Sequence, residues 1–363
     1  MTGPELHVIV PGSIEQRTGG YIYDARMVEG LRRRGWEVIV HGLSGRFPSG
    51  DAEAGTRLSE ALHRIRDGAR VVLDGLAMGA LPDIVRAQSE RLRLIALVHH
   101  RLADETGLER TEQERLLMLE REALIAAAGV IVTSSYTSAR VQELGVGAES
   151  IRVVVPGVDL APPADGPAGD DPPRLLCVAS VTPRKGQDVL VRALAGMVAT
   201  PWTCVCAGSL TRSPRYAAEV QERVREAGLS DRITFRGECD DDSIDALYAT
   251  SSVFVLPSHY EGYGMVLTEA MARGLPVVST TGGAIPGTVP DDAGILVPAG
   301  DETALASALR SLLVDPTNEP GGAAIRRRAL GDAGRRHVST LPDWDGAVDS
   351  FMDAVTVLAG DAA

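Results

Sequence analysis

The chain has 363 residues, 44% of them hydrophobic, which is enough for two domains of ordinary size, each with its own core. Its formal net charge is −13, and all but one of its 36 basic residues are arginines, the exception being Lys185. Because an acidic surface repels polyanions, the composition argues against nucleic acid and anionic membranes as partners and requires any phosphate site to be local.

The cysteines and the apolar runs place the protein in a broad class. Four cysteines without a C-x-x-C pair are too few and too unevenly spaced for a disulfide framework or a zinc site. The N-terminal stretch has no basic segment of the signal-peptide kind, and no apolar run approaches the roughly 20 residues that a membrane span needs. We therefore expect a soluble, cytoplasmic protein with reduced thiols and no transmembrane segment.

In the first half of the chain, short apolar runs alternate with longer segments of helical period, which predicts β-α units around a parallel sheet. The predicted strands are Leu6–Val10, Glu37–His41, Val71–Asp74, Leu94–Val98, Val130–Thr133 and Val153–Val155. The predicted helices between them are Tyr21–Arg34, Arg57–Arg66, Gly79–Ser89, Arg110–Ala127 and Tyr136–Leu144.

A segment of proline, glycine, alanine and aspartate then interrupts the pattern at residues 161–173, and we interpret it as an inter-domain linker. A second series follows, with strands predicted at Leu175–Ala179, Thr203–Ala207, Ile233–Arg236, Val253–Leu256, Pro276–Ser279 and Ile295–Val297. Its helices are predicted at Gln187–Val198, Tyr216–Ala227, Ser243–Ala249, Val266–Arg273 and Glu302–Leu313.

The predicted architecture is α/β, with two doubly wound Rossmann-like domains facing a central cleft. The predicted domains are residues 1–160 and 174–341, and residues 342–363 are expected to form a C-terminal helix that packs back on the first domain. Open α/β sheets bind ligands at the carboxyl ends of their strands, so we expect the active site in the cleft.

The segment from Ser258 to Thr281 is the most informative about function. A buried strand ends at Pro257, a loop follows with Glu261 and two glycines, and a helix begins near Met265. The unpaired N–H groups at a helix start attract anions, and glycine allows the backbone to approach a ligand closely. Glu261 and, one turn into the helix, Glu269 therefore flank a phosphate-sized site, where Glu269 can accept bonds from ribose hydroxyls.

Three other patterns invite a different interpretation. Asp240, Asp241 and Asp242 resemble a D-x-D metal motif, but they precede a helix, where acidic residues act as caps. Glu261 and Glu269 could be a glycosidase pair, although a helix start between them suits a phosphate better. The arginine runs 32–34 and 326–328 fit solvated helix ends. No metal ligand is predicted.

The string EGYGMVLTEAMARGLPVV, which contains both glutamates, resembles the signature of the retaining GT-B glycosyltransferases, specifically family 4. The resemblance extends over most of the chain, through further matching segments: Gly19-Gly20, His99, the string VPGVD at residues 155–159 and the string PRKG at residues 183–186. It implies a nucleotide-sugar-binding second domain and an acceptor-side first domain.

The resemblance also implies roles at matching positions. Glu269 should hold the donor ribose, and Glu261 the donor sugar. Lys185 should neutralise the diphosphate as the bond to the sugar breaks, and His99, or the adjacent His100, should bond a hydroxyl of the transferred sugar. The remaining positions of the implied donor site are glycines, backbone amides and one arginine: Gly19, Gly20, Arg184, Gly262, Tyr263, Gly264, Met265 and Val266.

Two positions depart from the family pattern. Ala179 and Ser180 stand where members commonly carry Gly-Arg, so the arginine that joins the lysine at the diphosphate is missing, and Arg184 is the candidate to replace it. Gly287 stands where many relatives carry a glutamate.

The sequence thus predicts a metal-independent, retaining hexosyltransferase that needs no cofactor. Its predicted donor is a nucleoside-diphosphate sugar, UDP- or GDP-linked, and its acceptor is a small molecule or a lipid or glycan hydroxyl. A homodimer is compatible with the sequence. The alternatives are a nucleotide-sugar epimerase or disaccharide phosphorylase on the same scaffold, or a nucleotide-sugar-binding protein without turnover.

Overall fold

The computed structural model describes residues 3–169, 171–314 and 321–360. The chain divides into two compact units: Met1–Gly157 with Pro342–Ala363, and Val158–Leu341. Within the described ranges, none of the helices has the length and apolar character that a membrane crossing requires.

The first unit is built on a parallel sheet. Among its described residues the strands are β1 Glu5–Pro11, β2 Glu37–Leu43, β3 Arg70–Asp74, β4 Arg93–Val98, β5 Gly129–Val132 and β6 Ile151–Val153. Their order across the sheet is β2-β1-β3-β4-β5-β6, and each pairing is parallel. The chain winds in opposite directions on the two sides of β1, so the switch point lies between β1 and β3, where such sheets bind ligands.

The helices of this unit cross between consecutive strands and cover the sheet. They are α1 Gly19–Arg33, α2 Ala52–Arg64, α3 Gly75–Met78, α4 Pro82–Gln88, α5 Arg110–Ala126 and α6 Ser135–Gln142. The helix predicted over Gly79–Ser89 is present but begins three residues later, at Pro82, because proline cannot donate a backbone hydrogen bond and suits the first position of a helix. The helix predicted from Arg57 begins earlier, where Asp51 accepts a bond from the backbone N–H of Ala54.

The second unit repeats the plan with strands β7 Arg174–Val178, β8 Thr203–Ala207, β9 Ile233–Gly237, β10 Val253–Leu256, β11 Val277–Thr280 and β12 Gly294–Val297. The sheet order is β12-β11-β10-β7-β8-β9, again with parallel pairings. Here the switch point lies between β7 and β10, two strands that are distant in sequence.

The helices of the second unit are α7 Gln187–Ala195, α8 Pro214–Glu226, α9 Asp241–Ala249, α10 Met265–Ala272, α11 Ile285–Thr288, α12 Glu302–Leu313 and α13 Gly322–Val338. Helices cover both faces of the sheet, so its central strand β10 is entirely buried. The predicted strands of both series are present, which confirms the predicted two-domain α/β fold.

The last described helix, α14 Trp344–Leu358, belongs to the first unit and packs on α1. The rings of Tyr23 and Phe351 lie 6.3 Å apart, and Arg34 pairs with Asp345 at 3.3 Å. The tail predicted at 342–363 therefore contributes to the core of the first unit over its described residues.

The segment predicted as a linker is attached to the second unit rather than standing free. The backbone N–H of Ala164 donates to the carbonyl oxygen of Arg273 at 2.8 Å, and that of Gly166 to Ala249 at 3.1 Å. The boundary between the units falls at Gly157 and Val158, before the segment 161–173, of which residue 170 lies outside the described part.

Candidate functional site

The switch point of the second sheet brings together two charged loops. Lys185 ends a single helical turn after β7, and Glu261 lies in the loop after the neighbouring strand β10. The Lys185 Nζ atom donates to Glu261 Oε1 at 2.6 Å, and the Ser258 hydroxyl donates to the same oxygen at 2.5 Å. The Arg184 guanidinium lies 3.5 Å from Glu261 Oε2. Arg184, Lys185 and Glu261, which the sequence analysis assigned to the donor site, thus form one cluster, although Lys185 and Glu261 are 76 positions apart along the chain.

The cluster combines two basic side chains with one carboxylate, so it carries one net positive charge when all three groups are ionised. Burial alone would raise the pKa of Glu261, but the charges of Lys185 and Arg184 outweigh burial and hold that pKa below its ordinary value. Burial lowers the pKa of Lys185, an effect that the carboxylate only partly offsets. A surplus positive charge at a mostly buried site is suited to a phosphate group.

Beside this cluster, α10 begins with the geometry of an anion site. Gly264 precedes the helix with φ of 91°, in the left-handed region, and no side chain caps the helix start. The positive φ favours glycine here, and a Cβ atom at Gly264 would in addition lie 2.7 Å from Leu267 Cδ1, so that the leucine side chain would have to shift. The first amides of the helix, at Met265 and Val266, lack intrahelical acceptors and carry the positive end of the helix dipole.

Glu269 is held by a residue that the sequence analysis did not select. The buried Tyr248 hydroxyl donates to Glu269 Oε2 at 3.1 Å, and the Arg273 guanidinium lies 4.5 Å above the Tyr248 ring. Burial, and the nearby negative charge of Glu269, raise the pKa of Tyr248 well above its ordinary value, so it remains a hydrogen-bond donor. Tyr248 lies in the amphipathic helix α9, and no pattern in the sequence singles it out as the partner of Glu269.

The remaining predicted positions of the second unit have structural contacts of their own. The Ser180 carbonyl accepts a bond from Gln187 Nε2 at 3.1 Å, and the Tyr263 carbonyl accepts one from the Thr288 hydroxyl at 2.7 Å. Gly287, where many relatives carry a glutamate, has open space beside it: a Cβ atom there would have no other atom within 4 Å. Gly262 is buried in the loop after β10.

The aspartates 240–242 act as a helix cap. The Asp240 carboxylate accepts a bond from the backbone N–H of Ser243 at 2.9 Å, and Asp241 and Asp242 lie in the first turn of α9. This is the role that the sequence predicted for them.

The first unit contains a second polar cluster, at the carboxyl ends of β3 and β4. His99 follows β4, and its Nε2 atom lies 3.0 Å from Asp24 Oδ1 in α1. Asp74, the last residue of β3, lies beside them, and side-chain ligand atoms of Asp24, Asp74 and His99 are within 4.8 Å of one another. His100 instead lies 3.6 Å from Glu105. His99, and not His100, is therefore the member of this cluster.

Gly19 and Gly20 are the first two residues of α1, not part of the loop before it as predicted. A Cβ atom at Gly20 would lie 3.1 Å from His99 Cδ2, so the small residue allows the helix to approach the imidazole. Asp24 was missed, although an acidic residue on the helix face that also carries Met27, Val28 and Leu31 was a detectable signal.

One group of side chains in the described part of the chain has enough oxygen and nitrogen atoms close together to surround a cation. It consists of Asp24, Asp74 and His99. In the structure, however, His99 Nε2 and Asp24 already bond to each other, and Asp74 accepts a bond from the backbone N–H of Leu76 at 2.7 Å. The arrangement is that of a histidine oriented by a buried carboxylate.

Two family models match the chain. The model described as "Glycosyltransferase Family 4" matches residues 22–162, and the model described as "Glycosyl transferases group 1" matches residues 172–315.

Among curated relatives, the chain is 31% identical over 271 residues to a D-inositol 3-phosphate glycosyltransferase of Thermomonospora curvata, covering 68% of this chain and 61% of the relative. It is 29% identical over 245 residues to a GDP-mannose-dependent alpha-(1-6)-phosphatidylinositol monomannoside mannosyltransferase of Mycobacterium tuberculosis, covering 62% of this chain and 60% of the relative. The chain thus spans about three fifths of the length of these two relatives.

Solved structures match over nearly the full chain. The sucrose-phosphate synthase from Thermosynechococcus elongatus superposes with a TM-score of 0.81 at 25% identity, covering 99% of this chain and all of that one. Anabaena HepE in complex with UDP and glucose superposes with a TM-score of 0.77 at 17% identity, covering 97% of this chain and 99% of that one, and this likeness concerns the fold alone.

Proposed function

Because the chain belongs to the GT-B glycosyltransferases of group 1 and family 4, we propose that it transfers a hexose from a nucleoside-diphosphate sugar to an acceptor hydroxyl, with retention of the anomeric configuration. The observation that carries the proposal is the cluster of Lys185 and Glu261 beside the start of α10. Retention comes from the family resemblance alone.

The diphosphate is proposed to bind where positive charge is concentrated. Lys185, Arg184 and the first amides of α10 supply that charge, and Lys185 stabilises the negative charge that develops on the leaving phosphate. Glu261, which pairs with Lys185 in the structure at 2.6 Å, accepts bonds from the donor sugar hydroxyls. The missing arginine at Ser180 makes Lys185 the main electrostatic group in this scheme.

Ribose binding is assigned to Glu269. Its carboxylate is fixed by the Tyr248 hydroxyl at 3.1 Å, and a carboxylate can accept bonds from two vicinal hydroxyls at once. The backbone at Gly262 and Gly264, which have no side chains to keep a ligand away, contacts the sugar and phosphates. In the first unit, His99 bonds a hydroxyl of the transferred sugar.

The donor base is proposed to be uracil or guanine. One relative is named for its dependence on GDP-mannose, and the HepE structure contains UDP and glucose. The acceptor is proposed to be a small molecule or a lipid or glycan hydroxyl, and the names of the relatives make D-inositol 3-phosphate and phosphatidylinositol mannosides the first acceptors to test. Cofactor independence, a cytoplasmic location and a homodimer stay predictions.

A binding screen followed by a transfer assay tests the proposal. Thermal unfolding is measured with UDP, GDP, ADP and their hexose conjugates, since a ligand at 100 times its dissociation constant stabilises the native state by about 2.7 kcal/mol. The stabilising donor is then incubated with each acceptor, and NMR reads the anomeric configuration of the product. Glu269→Gln serves as the control that should lose donor stabilisation.

The alternatives give different products. Conversion of the donor sugar without an acceptor would indicate an epimerase, and release of a sugar phosphate from a disaccharide and phosphate would indicate a phosphorylase. Donor binding without transfer to any acceptor would indicate a binding protein. An inverted product would refute retention while leaving the transferase assignment in place.

A further inference from the structure

Asp24 is the least explained buried charge of the first unit. Its side chain is 1% exposed, Oδ1 bonds to His99, and Oδ2 is buried without a hydrogen-bond partner among the described residues. Burying a carboxylate in this way is costly, so a residue that only filled space would be better replaced by an apolar one. The cost is understandable if the negative charge of Asp24 acts on its neighbour.

That neighbour, His99, is fixed on several sides. Asp24 holds Nε2 at 3.0 Å, the Tyr23 ring meets the imidazole edge-on at 5.5 Å, and the Cα of Gly20 lies against the Cδ2 side. The His99 side chain is 18% exposed, and no described residue bonds its Nδ1 atom. Nε2 is therefore bonded within the protein, whereas Nδ1 is available to a ligand.

Asp74 completes the local electrostatics. Burial raises the pKa of Asp74 to about 7, and the charge of Asp24 contributes to that rise. For His99, burial alone would lower the pKa, but the charge and hydrogen bond of Asp24, aided by Asp74, raise it above the ordinary value. The titratable groups facing the imidazole are thus Asp24 and Tyr23 from α1 and Asp74 from the end of β3.

We propose that Asp24 is a positioning residue for substrate binding: by holding Nε2 it fixes the orientation of His99, so that Nδ1 is presented to an oxygen of the bound sugar nucleotide. This inference rests on the proposed transferase function. A ring held with a proton on both nitrogens donates from Nδ1, which suits a hydroxyl or phosphate oxygen and not a cationic group. Loss of the Asp24 charge would favour the neutral ring, and with its single proton on Nε2 that ring can only accept at Nδ1.

Two substitutions separate orientation from charge. Asp24→Asn keeps an oxygen that can accept from Nε2 but removes the charge, whereas Asp24→Ala removes both. We expect kcat/KM for the donor to fall by about 10-fold in Asp24→Asn and about 100-fold in Asp24→Ala, the range typical of a hydrogen bond to a charged group. Glu29→Gln, an exposed substitution on the same helix, is the matched control and should leave kcat/KM within 2-fold of wild type.

The pH dependence gives a readout that a merely structural role would not move. In the wild type, kcat/KM should decline as the pH rises through the pKa of His99, and in Asp24→Asn the decline should begin at a lower pH. Histidine ring NMR, with His99→Gln used to assign the signal, should show a lower pKa for His99 in Asp24→Asn. The dissociation constant for free UDP or GDP, which the second unit is proposed to bind, should stay unchanged.

The outcomes separate this inference from the function on which it rests. If the wild type transfers no sugar, the proposed function fails, while the NMR titration still decides whether Asp24 controls His99. If His99 titrates alike in the wild type and Asp24→Asn, or if folded Asp24→Ala keeps its kcat/KM, the positioning role is wrong. Loss of activity with EDTA, restored by Zn²⁺ or Mn²⁺ in the wild type but not in Asp24→Asn, would also overturn it in favour of a cation site.

Discussion

Replacing Lys185 by alanine should impair turnover far more than folding. In the structure Lys185 Nζ lies 2.6 Å from Glu261 Oε1, and the lysine side chain is 17% exposed. Removing one preorganised group that stabilises developing charge lowers kcat by about 10²–10³, or about 2.7–4 kcal/mol of transition-state stabilisation. We expect a loss in that range, because Ser180 supplies no second charge.

The cost to folding should be smaller. Removing one partner of a fully buried ion pair costs about 3–5 kcal/mol, because the other charge is left alone. Glu261 keeps two partners in the variant, the Ser258 hydroxyl at 2.5 Å and the Arg184 guanidinium at 3.5 Å. We therefore expect the free energy of unfolding to fall by only about 1–2 kcal/mol.

The assay measures kcat with the donor, and the free energy of unfolding in urea, under the same buffer conditions. Arg184→Ala is the matched control: it also removes a cation next to Glu261, but one at the longer distance of 3.5 Å, and it should lower kcat less. A Lys185→Ala protein that unfolded early yet, while folded, turned over at the wild-type rate would refute the diphosphate role.

Three further predictions, tested with four substitutions, concern other parts of the structure. Tyr248→Phe removes the bond that fixes Glu269, so calorimetry should find nucleotide binding about 3- to 10-fold weaker, and unchanged binding would contradict the role of Glu269. Gly264→Ala places a Cβ in a left-handed position and should lower unfolding free energy by about 1–2 kcal/mol and weaken nucleotide binding, whereas Gly287→Ala, which meets open space, should do neither. Burial raises the pKa of Glu120 to about 8, so the native state keeps a proton that the unfolded chain loses above about pH 4.5, and stability should decline as the pH rises from 5 to 8. Glu120→Gln should remove that decline, roughly 1–3 kcal/mol in urea unfolding at the two pH values, and an equally steep decline in the variant would show the carboxyl is not its source.

Much of the fold was predictable because its signals are local. The apolar runs that form β10 and its neighbours are bounded by turn residues, and the segment from Val253 to Glu269 contains a strand, a loop and a helix start in succession. Boundaries were predicted less well. Asp51 begins α2 several residues before the apolar pattern does, and Pro82 divides a stretch that has helical period throughout.

The partners of the candidate site residues were not predictable, because they depend on sheet order. Nothing in the sequence says that β7 pairs with β10, yet this pairing puts Lys185 next to Glu261. The contact between Tyr248 and Glu269 also depends on the tertiary structure. Tyr248 belongs to α9, whose sequence is that of an ordinary amphipathic helix.

Lys185 illustrates the difference between what the sequence determines and what the tertiary structure determines. By itself the sequence determined two α/β domains, the family, and a helix start flanked by two glutamates, because periodicity and short motifs are properties of neighbouring residues. Only the tertiary structure decided that Lys185 pairs with Glu261, and that Asp24 and Asp74 are buried beside His99. Side chains separated by tens of residues meet only when the crossover connections have set the order of the strands, and that order is a property of the whole folded chain.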